Sequence, residues 1–216
     1  MDALDPQCRT REPGGTPLAE SIANAIIPGI RQLAGGDTVT LVGFSFGGVV
    51  CGVIGQLAPD LVDSIVFVGA AGLGLPREPL DLKSWRLTGT AEGRRMLHRH
   101  NVRELMIWND DRIDDLAVYL QQSNAERTRF RSRKIARTTV LRHALEASSG
   151  PIAGIWGEHD ATAAPYIDER RELLQELRPG TPFTVMPGMG HWVMYEAADD
   201  FNPLLLRMIE TIKPRV

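Results

Sequence analysis

Apolar positions along the 216-residue chain alternate between helical spacing and short unbroken runs. Residues 1–17 are polar, rich in Pro and Gly, and read as loop. From Pro17 to Leu33 the apolar residues Ile22, Ala25, Ile26, Ile30 and Leu33 fall at helical spacing, and Pro28 is expected to kink or shorten that helix. Gly35-Gly36-Asp37 stops it. Thr38-Val39-Thr40-Leu41-Val42, largely β-branched and followed by glycine, predicts a buried strand. A sharp turn over Gly43 to Gly48 leads into an apolar helix over Val49 to Leu57. Leu61 to Val68 predicts a second buried strand, broken by the segment Gly69 to Gly74.

From about Leu75 to Ser148 the strand runs vanish and charge rises. Helical patterns cover Ala91–His98, Asn101–Trp108, Ile113–Gln121 and Lys134–Glu146. Strand character returns at Pro151 to Trp156, followed by a charged helix (Tyr166 to Leu177), a short strand (Phe183-Thr184-Val185) and a last helix (Phe201 to Ile212). Strands alternating with helices predict a mostly parallel sheet covered on both faces. The segment 75–148 reads as a helical cap inserted into a core made of residues 1–74 and 149–216. Met106, Trp108, Leu116 and Leu120 are expected in the core of that cap.

Composition narrows the class. Charged residues are 24% of the chain and the net charge is −3, so no basic face recommends nucleic-acid binding. No apolar run reaches the roughly 18 residues of a transmembrane helix, and the N-terminus lacks the order of a signal peptide. With Cys8 and Cys51 as its two cysteines, and Cys51 inside an apolar run, the chain reads as a reduced cytoplasmic protein with a buried free thiol at Cys51.

The turn Gly43-Phe44-Ser45-Phe46-Gly47-Gly48 carries the chemistry. It is G-x-S-x-G between a predicted strand and a predicted helix. A serine on so tight a turn projects its hydroxyl above the sheet. Gly43 and Gly47 are expected to leave room for close approach, and the Phe46 N–H at the helix start can face a developing oxyanion. The turn has neither the Lys-Ser/Thr end of a phosphate-binding loop nor G-x-G-x-x-G spacing. A serine needs a base. His191, in Pro187-Gly188-Met189-Gly190-His191-Trp192 after the last strand, is the candidate, whereas His98, His100 and His143 are expected on the cap surface. Asp160, in Trp156-Gly157-Glu158-His159-Asp160, is the candidate orienter, with Glu158 as its rival. No helical His pair or Cys set completes a metal site, and neither metal nor cofactor is expected. The basic run Arg127, Arg129, Arg131, Arg133, Lys134 and Arg137 reads as a solvated helix face, or as the source of one arginine turned toward an anionic substrate.

These residues resemble the α/β-hydrolase superfamily over about Pro17 to Pro214, through the Ser45 turn, Gly157-Glu158-His159-Asp160 and Gly190-His191-Trp192. His191-Trp192, Tyr195-Glu196 and Asp200-Phe201-Asn202 are similar to the C-terminal stretch of hydrolases that cleave a C–C bond in meta-cleavage products of aromatic degradation. Carboxylesterases share much of the pattern. The C–C hydrolases often carry Asn and Met around the serine, where this chain has Phe44 and Phe46. A serine at position 45 separates the chain from the dehalogenase and epoxide hydrolase branches, whose nucleophile is a carboxylate. The resemblance implies a Ser45–Asp160–His191 triad, an oxyanion donor at Phe46, and substrate contacts from Phe44 and Trp192. Its partner would be a small molecule, an ester or a C–C bond of a small carboxylate-type compound. In the family several strands precede the nucleophile strand, and a loop often beginning His-Gly supplies a second oxyanion N–H. Only 37 residues precede Thr38, without a strand run or His-Gly, so the chain reads as N-terminally truncated. Loss of one oxyanion donor costs about 10²–10³ in rate. The alternative is therefore a catalytically impaired binding module, or one that self-associates through an exposed edge at Val39 to Val42.

Overall fold

A computed structural model describes residues 18–128, 135 and 137–213. The expected loop at 1–17, Cys8, and Arg129, Arg131, Arg133 and Lys134 of the basic run lie outside the described residues. Four strands, β1 (Val39–Phe44), β2 (Val62–Val68), β3 (Ile152–Gly157) and β4 (Phe183–Met186), form one parallel sheet in the order β1-β2-β3-β4. The helices are α1 (Leu18–Ala34) before β1, α2 (Phe46–Leu57), α3 (Ala91–Leu105), α4 (Asp115–Arg127), α5 (Val140–Glu146) and α6 (Ile167–Leu177) between the strands, and α7 (Val193–Glu196) and α8 (Ala198–Ile212) after β4. Short 3₁₀ turns occupy Trp85–Leu87 and Asp110–Arg112. None of these helices is long and apolar enough to cross a membrane.

The strand period of two divides the core between the faces of the sheet. Ile65, Phe67, Ile152 and Trp156 point into one cluster with residues of α1, α2, α5 and α6. Val66, Val68, Ala153 and Ile155 point the other way, against Phe201, Met208 and Ile212 of α8. Burying a side chain such as Phe67 is worth about 1.5–3 kcal/mol, and β2 and β3 do so on both faces. That is why Ile65–Val68 of β2 and Ile152–Trp156 of β3 read as continuous apolar runs rather than as alternating ones. Among the described residues β1 pairs only with β2, and Val42 on it is exposed.

Several details depart from the sequence expectation. Pro28 lies inside α1 without ending it. Pro28 has no N–H to donate to the carbonyl of Asn24 four residues earlier, and Asn24 lies on the exposed face. The buried stripe of α1 is also rotated: Ala19 and Ala23 are buried, with Ile27, Ile30 and Ala34 packed against the same cluster. Ile26 is 41% and Leu33 90% exposed. The two helices expected over 91–108 are one, because no helix-breaking residue separates His98 from Asn101. Within 75–148, α5 puts Leu141, Ala144 and Leu145 into the main core beneath α2, whereas α3 and α4 form their own cluster around Val102, Ile107, Ile113, Ala117 and Val118. Trp108 and Leu116, expected inside that cluster, are 44% and 54% exposed. His98, expected at the surface, is fully buried; desolvation holds its imidazole below its ordinary range, with Glu126 pulling weakly the other way.

Candidate active site

All four strands end on the same side because they are parallel, and the candidate residues follow those ends. Ser45 follows β1, Asp160 lies three residues past β3, and His191 lies in the loop after β4. Ser45 has φ 51 and is the one non-glycine with positive φ among the described residues. Such a conformation costs on the order of 1–3 kcal/mol and persists only when its surroundings hold it. Here the Ser45 N–H donates to the Val68 carbonyl (2.9 Å), and the Ser45 carbonyl accepts from Gly48 (3.1 Å) and Ala71 (3.3 Å). The turn is also sterically closed. A Cβ on Gly43 would stand 2.6 Å from Gly48 Cα, and one on Gly48 would stand 2.6 Å from Ala70 Cβ. A Cβ on Gly47 would meet nothing, so the close approach assigned to Gly47 belongs to Gly48. Phe46 opens α2, and a first-turn helical N–H has no partner within its helix.

Asp160 and His191 are buried together, with His191 Nδ1 2.8 Å from Asp160 Oδ2. The other carboxylate oxygen, Oδ1, accepts from the Thr162 N–H (2.8 Å) and the Thr162 hydroxyl (2.7 Å). An ionised carboxylate only accepts, so the His191 proton belongs on Nδ1 and its Nε2 carries the lone pair. Gly69 has φ 53, and a Cβ there would lie 3.0 Å from both Asp160 Oδ2 and His191 Nδ1. Behind Asp160, the buried Arg170 guanidinium donates to the carbonyls of Tyr166 (2.7 Å) and Pro76 (2.6 Å). Burial pulls its pKa down while the Asp160 charge pulls it up. The rival Glu158 is exposed, accepts from Gly188 N–H (2.8 Å) and stands 3.7 Å from His159.

The Phe44 ring lies 4.8 Å from the His191 ring, which sets the histidine against the strand end that carries Ser45. A cavity of about 450 Å³ opens beside His191, bounded by Leu80, Arg103, Met106, Trp108, His159 and Ala161 among others. Trp108 stacks on His159 at 4.0 Å with the Arg103 guanidinium 5.0 Å from the indole. Ser45, Phe44 and Trp192 do not line this cavity. Trp192 stacks on Tyr195 and packs against the α3–α4 cluster. Among the described residues, the arginine that reaches the cavity is Arg103, already 2.6 Å from Asp110; Arg127 and Arg137 are exposed and do not line it. Thr162, Gly69, Arg103 and the Trp108–His159 stack were missed in the sequence. Only Thr162, two residues after an aspartate as in an Asx-turn, left a local signal.

Comparison with known proteins agrees with this architecture. The alpha/beta hydrolase family model matches residues 6–204. No curated protein matches the sequence. Among solved structures, a Burkholderia cenocepacia protein provisionally assigned as an aryl esterase superposes with a TM-score of 0.71 at 18% identity, covering 98% of this chain and 75% of its own. A meta-cleavage product hydrolase from Pseudomonas fluorescens IP01 gives 0.66 at 22% identity, covering 93% and 75%. The 2-hydroxy-6-oxo-6-phenylhexa-2,4-dienoate hydrolase of Rhodococcus sp. strain RHA1 gives 0.62 at 18%, covering 89% and 72%.

Proposed function

Because the chain belongs to the alpha/beta hydrolase family, we propose that it is a serine hydrolase acting on esters of small, uncharged aromatic or aliphatic substrates. The observation that carries this reading is the buried His191–Asp160 hydrogen bond of 2.8 Å beside the strained Ser45 turn. In this reading His191 Nε2 takes the Ser45 hydroxyl proton as the oxygen attacks the ester carbonyl. The carbonyl oxygen becomes an oxyanion facing the Phe46 N–H. Collapse of the tetrahedral intermediate expels the alcohol, which receives the proton from His191, and leaves an acyl-serine. Water, deprotonated by the same nitrogen, then releases the acid and regenerates Ser45. Asp160 holds the tautomer and stabilises the imidazolium.

The charges at the cavity support an ester over the carboxylate-bearing C–C substrates. Among the described residues, Glu78 and Glu104 line it against one guanidinium, Arg103, already paired with Asp110. A substrate anion would meet more like than unlike charge, whereas the Trp108–His159 stack suits a neutral ring. A fluorophosphonate probe is expected to label the wild type and not Ser45→Ala, and aryl acetate turnover to vanish in that variant. Equal labelling of both proteins, or no turnover by the wild type, would refute the reading. Of two aryl esters differing by one acyl-chain carboxylate, the neutral one is expected to be preferred.

A further inference from the structure

We infer that Glu196 is a positioning residue that sets the backbone of His191 by clamping the corner Met106–Asn109 to the turn Gly190–Trp192. The inference rests on the reading of His191 as the base. Glu196 ends α7 and is 2% exposed. Its Oε1 accepts from the N–H groups of Trp108 (2.9 Å) and Asn109 (3.0 Å), and its Oε2 accepts from the Gly190 N–H (2.6 Å). A fourth bond closes the clamp: the Trp192 N–H donates to the Met106 carbonyl at 2.7 Å.

Two features make this more than a buried polar contact. First, the corner and the turn are in steric contact at Gly190. A Cβ there would stand 2.7 Å from Trp108 N, 2.9 Å from Glu196 Oε2 and 3.0 Å from Met106 O. Second, the amides on both sides of His191 are the anchored ones. Gly190 is held by Glu196 and Trp192 by Met106, so the peptide that carries the imidazole cannot shift without breaking one of them. The same corner supplies Trp108 to the cavity wall. Chain reversal after α3 leaves the Trp108 and Asn109 N–H groups without helix partners, and a carboxylate from 88 and 87 residues away satisfies them. Glu196 thereby joins the base to the wall of its pocket.

Glu196→Gln preserves shape and separates positioning from folding. The single carboxamide oxygen stays with the two donors at Trp108 and Asn109, which turns the amide NH₂ toward the Gly190 N–H. The turn loosens while the corner holds. Misplacement of a catalytic group by about 1 Å costs up to about 10²-fold. We therefore expect kcat per fluorophosphonate-labelled site on a small aryl ester to fall at least about tenfold. KM is expected to stay nearly constant, and the acid limb of the pH–rate profile to move. The His191 imidazole N–H proton, followed by NMR, is expected to shift or broaden, and the amides of Gly190 and Trp192 to exchange faster together. Unchanged kcat per labelled site, with unchanged pH profile and imidazole signal, would overturn the inference, as would a loss of activity that follows only the number of labelled sites. If the variant does not fold, exchange in the wild type decides: the amides of Trp108, Asn109, Gly190 and Trp192 must open as one unit, and independent opening overturns it. Failure of the hydrolase reading is distinguished by Ser45→Ala, since the NMR and exchange measurements do not require turnover.

Discussion

Replacing Asp160 by asparagine isolates one proton. Asp160 Oδ1 holds two donors from Thr162, at 2.8 and 2.7 Å, and Oδ2 faces His191 Nδ1 at 2.8 Å. A carboxamide keeps the shape but has one acceptor oxygen. Two Thr162 donors outbid one imidazole donor, so the oxygen stays with Thr162 and the NH₂ turns to His191. His191 must then present a lone pair at Nδ1 and carry its proton on Nε2, the nitrogen that should receive the serine proton. Such tautomer reversal in a serine protease triad lowers kcat by about 10⁴-fold, or about 5.4 kcal/mol of transition-state stabilisation. Global stability should change far less, because the packing and both Thr162 bonds survive. The assay is steady-state turnover of an aryl acetate by Asp160→Asn at pH 7, with thermal unfolding as the control for folding. Activity within tenfold of wild type in a normally folded variant would refute the reasoning.

Three further outcomes follow from the same geometry. Gly48→Ala should destabilise by about 1–3 kcal/mol through the Ala70 contact, whereas Gly47→Ala in the first turn of α2 should be neutral or stabilising; denaturant titration of both checks this, and equal losses would contradict the assignment. Burial pushes the Cys51 thiol up to about 11, so in a Cys8→Ser background a thiol reagent at pH 8 should modify native protein slowly and unfolded protein at once; rapid native modification would be inconsistent. Burial and the 2.6 Å hydrogen bond to Asp114 push the Tyr195 hydroxyl up to about 12. This exceeds its unfolded value near about 10, so its contribution is complete below that pH and lost as pH rises through 12; Tyr195→Phe should abolish that alkaline loss in a pH series of unfolding curves.

The sequence made the sheet legible because β2 and β3 are buried on both faces and carry no competing periodicity. The Ser45 turn was legible for a local reason: a strand, a G-x-S-x-G turn and a helix form one contiguous motif. Asp160 and His191 followed from their places after strand ends. What escaped depends on contacts distant in sequence. Glu196 looks like one more helix-end carboxylate until Trp108 and Asn109 are brought to it. α1 carries isoleucines on more than one face, so its buried stripe waits on where α2 and the sheet sit. His98 reads as a surface residue because a single polar position inside a basic helix says nothing of its burial. The glycines of the turn could not be ranked from spacing alone, since Gly47 and Gly48 differ only in what stands opposite them.

The parallel order of the sheet also bears on how the chain reaches its folded state. Ser45 and its turn are held by the end of β2, through Val68 and Ala71, and the β1–β2 pairing closes a short connection. The β2–β3 pairing must instead close the whole span between Val68 and Ile152, and only then can Asp160 and His191 meet beside Gly69. Closure entropy grows only logarithmically with loop length, by about 0.6 kcal/mol per doubling. A long insertion there costs little stability, yet it makes the site depend on pairing between segments far apart in sequence, the kind of contact that slows folding. The residues of the candidate site are therefore also those whose juxtaposition registers most directly that the whole topology has closed.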